Sequence, residues 1–399
     1  MSQFLKCLLK YFLYFVTGFA ILTVGFAAYL IWFQPPFYFP KPTGQYTVGT
    51  KLFELTDPTR NDPETNKPRE LVAQVWFPSK GRPGIATAPY AYEALQVLKK
   101  GCSTEKQKRM LDLIRTNAIS DASVSSELAS CPIVIFGHGY GMARGLYSFL
   151  CEEIASHGYV VAMVMHTYVT PLTRFFDGRE FGSSQRKKDI ALCEECFADI
   201  EFMLNKAMAG NFGEALTSIC DFNNIGIIGH SLGGIMSSQI CRRDERVKAG
   251  ISLDGALLGI DGTKTFHKPF MFIRTSDFYE SHSEDLLQTM GADPRSFKGS
   301  IEQFCRENGE DTIQIVVRGA QHNTFSDFPI LLNFLTKIFG QSEALSLLPD
   351  TGHVSSKALE TMRNSVIIFF NRYLKGLHVP YPSSIKHDSD HENFDFYIP

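Results

Sequence analysis

The sequence predicts an α/β fold, with a mainly parallel central sheet, helices on both faces and one transmembrane helix ahead of them. Three observations predict it. Short apolar runs bounded by turn residues alternate with segments of helical spacing, the pattern of strand–helix–strand units on a parallel sheet. One of these runs, residues 225–228, leads into Gly229-His230-Ser231-Leu232-Gly233, a G-x-S-x-G set where a strand turns into a helix. Residues 11–33 carry no charge at all. The chain has 399 residues, 44% of them hydrophobic, so a large core is affordable. We read residues 1–10 as a short cytoplasmic segment, 11–33 as the span and 34–399 as one catalytic domain, with 378–399 as a loose tail.

The span comes first. At about 1.5 Å per residue it reaches roughly 34 Å, enough for the hydrocarbon core of a bilayer. Lys6 and Lys10 precede it, Pro35-Pro36 closes it, and Trp32, Phe33, Phe37 and Tyr38 resemble an aromatic belt at its far end. A cleaved signal has a shorter apolar region, so an uncleaved signal anchor is favoured over a removed leader and secretion. The basic residues put the N-terminus in the cytoplasm and the domain in the lumen or outside. No N-x-S/T sequon occurs in the chain.

Residues 45–55 and 71–77 read as strands joined by a polar, proline-bearing hairpin loop at 60–70. Residues 90–119 have helical spacing, for a surface helix or a lid. Residues 131–138 form an apolar run ending in His138-Gly139-Tyr140-Gly141. A helix at 147–155 and a buried strand at 159–165 complete a βαβ unit. A long helix follows at 186–208. After the elbow strand and its helix come strands at 247–253, 270–274 and 312–317. Residues 328–339 are very apolar, for a buried core helix or one dipping into lipid. This order with this elbow is the α/β-hydrolase architecture.

Composition excludes several functions. Net charge is -3, which argues against a nucleic-acid partner. Nine cysteines are scattered along the chain. Cys193 and Cys196 form a C-x-x-C with no second pair, so they read as part of an ordinary helix. No metal and no cofactor is expected.

The elbow carries the chemistry. Glycines flanking Ser231 allow a tight turn that lifts the hydroxyl from the sheet edge to a helix N-terminus. A serine needs a base, and in this architecture the order is serine, acid, histidine. His322 follows the last strand; His353, His378, His387 and His391 have no strand before them. Two acids are open: Asp254, ending the strand 247–253, and Asp277, after 270–274. The oxyanion hole takes the backbone N–H of Leu232 and a second N–H from the Gly139/Gly141 loop, that of Tyr140. His138 shapes that loop.

Residues 136–141, 144–148, 155–162, 229–234, 250–254 and 322–328 together resemble the platelet-activating factor acetylhydrolase family. Phe136-Gly137-His138-Gly139-Tyr140-Gly141 resembles its FSHGLG. Arg144, Leu146-Tyr147-Ser148 and residues 155–162 match its R-x-LYS and LASHG segments. Gly229–Gly234 is similar to GHSFGG, Gly250-Ile251-Ser252-Leu253-Asp254 to GIALD, and residues 322–328 to HQNFADF. Residues 44–49 and 373–378 extend the match to both ends. The resemblance implies Asp254 rather than Asp277 as the acid, Tyr140 as oxyanion donor and lipid contact near 328–339. It implies calcium-independent cleavage of the sn-2 ester of phospholipids with short or oxidised chains. A general lipase or carboxylesterase, or a catalytically dead tethered binding protein, are the rival readings. Two departures stand out. Met165-His166-Thr167-Tyr168 replaces the family's Glu-His-Arg-Asp, which predicts that a charged cluster is missing near the site. Tyr140 replaces a leucine, which predicts a narrower acyl pocket.

Overall fold

The protein is described from a computed structural model over residues 3–32, 35–81, 87–125, 128, 130–184, 189–257, 267–281, 299–379 and 394–397. In chain order the strands are β1 (Phe37–Tyr38), β2 (Thr47–Asn61), β3 (Pro68–Ser79), β4 (Ile114–Arg115), β5 (Ile119–Ser120), β6 (Cys131–Gly137) and β7 (Val160–Met165). Then come β8 (Leu172–Arg174), β9 (Glu180–Gly182), β10 (Cys220–His230), β11 (Val247–Leu253), β12 (Phe270–Thr275), β13 (Thr312–Val317) and β14 (Phe394–Tyr397). Ten of these form one sheet in the order β14-β13-β12-β11-β10-β6-β7-β3-β2-β5. From β13 across to β7 every pairing is parallel. β3 joins β7, and β2 joins β3, antiparallel.

Burial follows from this layout. All of β6, β7, β12 and β13 is buried, as strands covered on both faces must be. Alternate residues serve opposite faces. Val134 and Phe136 pack with the helices Ser148–Ser156, Phe328–Phe339 and Ser356–Lys375. Ile133 and Ile135 pack with Ile190–Met208, Leu232–Arg243 and Ser300–Asn308.

The strands at 247–253 and 312–317 and the helix at 328–339 lie where the sequence puts them. Elsewhere the boundaries move for local reasons. The hairpin loop shrinks to a tight turn because Asp62 accepts the Glu64 and Thr65 N–H groups and Asn66 takes a left-handed φ of 54°. Residues 90–119 are not one helix. Tyr92–Lys100 stops at Gly101, Thr104 starts a new helix with a capping box to Gln107, and β4 and β5 follow. The long helix begins at Ile190, where Asp189 caps the Leu192 N–H; residues 185–188 lie outside the described residues.

Residues 378–399 are not wholly a loose tail. β14 pairs antiparallel with the edge strand β13, and Asp395 bonds Arg318 at 2.8 Å. A short alternating Phe-Asp-Phe-Tyr run gives little signal until an unpaired edge is available to it.

The N-terminal helix runs Gln3–Trp32, so it takes in most of the segment read as 1–10. Cys7–Phe26 is long and apolar enough to cross a membrane. Thr17 and Thr23 return their hydroxyls to the Leu13 and Phe19 carbonyls, so both side chains are satisfied within the helix. Phe33 lies outside the described residues. The helix Phe328–Phe339 spends its apolar face inside the domain: Leu331, Phe334 and Leu335 are buried, and Phe37 stacks on Phe334 at 4.1 Å. Its exposed positions are Asn333 and Lys337.

Candidate active site

Ser231 sits between β10 and the helix Leu232–Arg243, with φ 56° and ψ -117°. That strained conformation is held from both sides. The Ser231 N–H donates to the Leu253 carbonyl at 2.9 Å, which fixes the elbow to the end of β11. On the other side the backbones touch: a Cβ on Gly229 would strike Gly233, and a Cβ on Gly233 would strike Gly137. These elbow glycines let the helix start against the sheet, and Leu232 occupies its first position, where the N–H lacks an intrahelical partner.

Asp254 follows β11 directly, in a left-handed conformation with φ 50°. Its N–H bonds the Ile273 carbonyl at 2.8 Å. One carboxylate oxygen accepts the Thr275 N–H at 2.8 Å and the Thr275 hydroxyl at 3.1 Å. The other lies 2.6 Å from His322 Nδ1. Burial alone would raise the Asp254 pKa, but the His322 and Thr275 bonds outweigh it and hold the carboxyl below its usual range. Asp277 has no such place; its Oδ1 is buried without a hydrogen-bond partner among the described residues. The structure therefore sets Asp254, not Asp277, against His322.

The glycine loop is a turn pinned at both ends. Met142 N–H bonds the Gly139 carbonyl at 3.2 Å, and Gly141 N–H, on a residue with φ 70°, bonds Val169 at 3.1 Å. Tyr140 lies at its tip, half-buried against the apolar cluster around Ile133 and Ile135. His138 is fully buried behind the loop. Its Nδ1 lies 2.9 Å from the Gly139 carbonyl, and its Nε2 accepts the His166 N–H at 3.3 Å. Burial, then the neighbouring His166, pushes its pKa down to about 3, so it stays neutral and braces the turn.

The missing charged cluster is present after all, built from other elements. His166 Nδ1 lies 3.1 Å from Asp199, and Arg69 bridges Asp199 and Asp62, each at 2.8 Å. Arg60 adds a second cation on Asp199 at 2.9 Å. Burial would raise the Asp199 pKa, but His166 and Arg69 hold it well below the carboxylate range. Arg69 sits in a stretch that reads as solvated hairpin, so only its pairing with the long helix reveals it.

Cys193 and Cys196 face the core, and burial raises both thiols, that of Cys193 to about 11. A cavity of about 630 Å³ is lined by Arg144, Trp76, Tyr90, Tyr92 and Leu95; none of Ser231, Asp254 and His322 lines it.

Comparison with known proteins gives the same direction. The family model described as platelet-activating factor acetylhydrolase, isoform II, matches residues 34–211 and 205–394. A probable 1-alkyl-2-acetylglycerophosphocholine esterase of Arthroderma benhamiae is 24% identical over 85% of this chain and 89% of its own. A platelet-activating factor acetylhydrolase of Cavia porcellus is 26% identical over 61% of this chain and 57% of its own. A solved ferulic acid esterase from Streptomyces cinnamoneus superposes with a TM-score of 0.71 at 27% identity, over 90% of this chain and 98% of that one. The fold is thus of the α/β-hydrolase type, and this chain is an ester hydrolase that belongs to the platelet-activating factor acetylhydrolase family, isoform II.

Proposed function

We propose that the chain is a calcium-independent serine hydrolase that cleaves the sn-2 ester of platelet-activating factor and of phospholipids with short or oxidised sn-2 chains. Ser231 attacks the ester carbonyl while His322 takes its proton. Asp254 keeps the His322 proton on Nδ1, so Nε2 is free to act as base. The tetrahedral oxyanion is held by the N–H groups of Leu232 and Tyr140. His322 gives that proton to the sn-2 oxygen as the lysophospholipid leaves, and then takes one from the water that releases the acyl group from Ser231. The observation that carries this reading is the 2.6 Å Asp254–His322 bond beside a strained serine elbow. The substrate class rests on the family and its named relatives.

We assign the N-terminal helix as the membrane contact, with the domain lumenal or extracellular; secretion after cleavage is the alternative. The helix Phe328–Phe339 supports that contact less, because its apolar face is buried. The ferulic acid esterase neighbour favours a second reading, a carboxylesterase acting on other esters.

The test is hydrolysis of phosphatidylcholine with an acetyl or a long sn-2 chain, without calcium, by the wild type and Ser231→Ala. Turnover of the acetyl lipid alone, abolished in Ser231→Ala, is expected. Equal turnover of the long-chain lipid selects a general lipase, and turnover of neither selects the carboxylesterase.

A further inference from the structure

Three loops meet at the site. The glycine turn follows β6, the elbow follows β10 and the His322 loop follows β13. In the sheet β6 and β13 are separated by β10, β11 and β12, so no strand ladder joins the first loop to the third. A buried chain of hydrogen bonds does. Gly139 N–H donates to the Tyr147 hydroxyl at 3.0 Å. That hydroxyl lies 2.8 Å from His230 Nδ1. His230 Nε2 lies 2.9 Å from the backbone carbonyl of His322. Tyr147 and His230 are each 1% exposed.

Donor and acceptor capacities fix the direction of every bond. A carbonyl only accepts, so His230 Nε2 carries a proton. In the neutral ring Nδ1 is then an acceptor, the Tyr147 O–H donates to it, and a phenol lone pair takes the Gly139 N–H. Burial, and after it the nearby His322, lowers the His230 pKa to about 3, which keeps the ring neutral. His230 therefore takes no part in proton transfer, although its ring centre is 4.6 Å from that of His322.

We propose that Tyr147 and His230 are positioning residues whose relay sets the Gly139–Tyr140 peptide and His322 in register with Ser231. The proposal rests on Ser231, His322 and Asp254 acting as the triad. Neither residue is assigned a contact with substrate. Each grips backbone, one on the oxyanion side and one on the base side. Cutting the chain leaves buried polar groups unpaired, and the loops shift to find them new partners. A displacement of about 1 Å at either end costs about 100-fold in rate.

The experiment uses the full chain, p-nitrophenyl acetate as the probe ester, and the variants Tyr147→Phe, His230→Gln and their combination, with Ser231→Ala as control. Tyr147→Phe keeps the ring packed on Phe136, whose centre is 4.9 Å away. Each single variant is expected to lower kcat about 10- to 100-fold with KM within about two-fold, while labelling of Ser231 by a fluorophosphonate still runs to completion. The double variant should lose no more than about three-fold beyond the worse single one, because either cut breaks the same chain. A folded single variant with wild-type kcat overturns the proposal, even if its Tm is lower, since that marks a purely structural role. Losses that multiply in the double variant overturn it as well. Should Tyr147→Phe fail to fold, His230→Gln carries the kcat and KM comparison alone. A Ser231→Ala chain as fast as wild type instead removes the triad reading itself, an outcome separate from failure of the relay.

Discussion

Asp254 divides its two oxygens between two partners, and that division makes asparagine an informative replacement. Oδ1 accepts the Thr275 N–H and hydroxyl, and Oδ2 faces His322. In Asp254→Asn the amide oxygen keeps the Thr275 N–H, so the NH2 group turns to His322 Nδ1. The imidazole then carries its proton on Nε2, where it cannot accept one from serine. We expect kcat to fall by about 10⁴ with the fold intact, read from steady-state kinetics and circular dichroism. A loss of ten-fold or less would show that Asp254 does not set the tautomer. The same carboxyl also links stability to acid. Its folded pKa lies below the unfolded value of about 3.9, so its contribution is fully present above that value and is lost as pH falls through the folded one. Wild type and Asp254→Asn should therefore converge in stability at the acid end of a denaturant series.

Individual elements were legible in the sequence to the degree that their signals were local. The strands 247–253 and 312–317 are short, mostly apolar runs, broken only by Lys248, Ser252, Thr312 and Gln314, and the elbow needs its glycines. The segment 90–119 misleads because Leu95, Leu98, Met110 and Leu111 keep helical spacing across the Gly101 stop. Arg69 and Tyr147 escape because their roles depend on Asp199 and His230, distant in sequence. By spacing alone Asp254 and Asp277 stay equivalent; the family resemblance points to Asp254, and with β11 and β12 laid side by side it is Asp254 that faces His322. The elbow's tightness has a measurable consequence. Gly233 and Gly137 are in backbone contact, and backbone cannot move aside as a side chain can. Gly233→Ala should destabilise by about 1–3 kcal/mol in chemical denaturation. Wild-type stability would mean that helix and strand separate more easily than this contact implies.

For the whole molecule the question is how the apolar N-terminal helix meets the domain. The join is short. Residues 33–34 separate the helix from a lead-in that already belongs to the fold. Phe37 N–H and Phe39 N–H bond the Leu113 and Arg115 carbonyls at 3.0 and 3.1 Å, β1 pairs with β4, and Phe39 is 2% exposed beside Tyr90. The lead-in is therefore packed into the fold from Phe37 onward, well before the first long strand. A chain cut to 35–399 should lose membrane retention, stay in the supernatant without detergent and keep the full-length kcat on p-nitrophenyl acetate. One cut to 45–399 removes a buried phenylalanine together with the Phe37–Phe334 stack. It should be less stable by about 3 kcal/mol or more, on the scale of a Phe→Ala core truncation. Partition between pellet and supernatant, with thermal melts of both fragments, separates the two effects. Retention of 35–399 in the pellet would place the membrane contact on the domain surface rather than on the helix. Equal melting of the two fragments would show that the lead-in only lies against the fold.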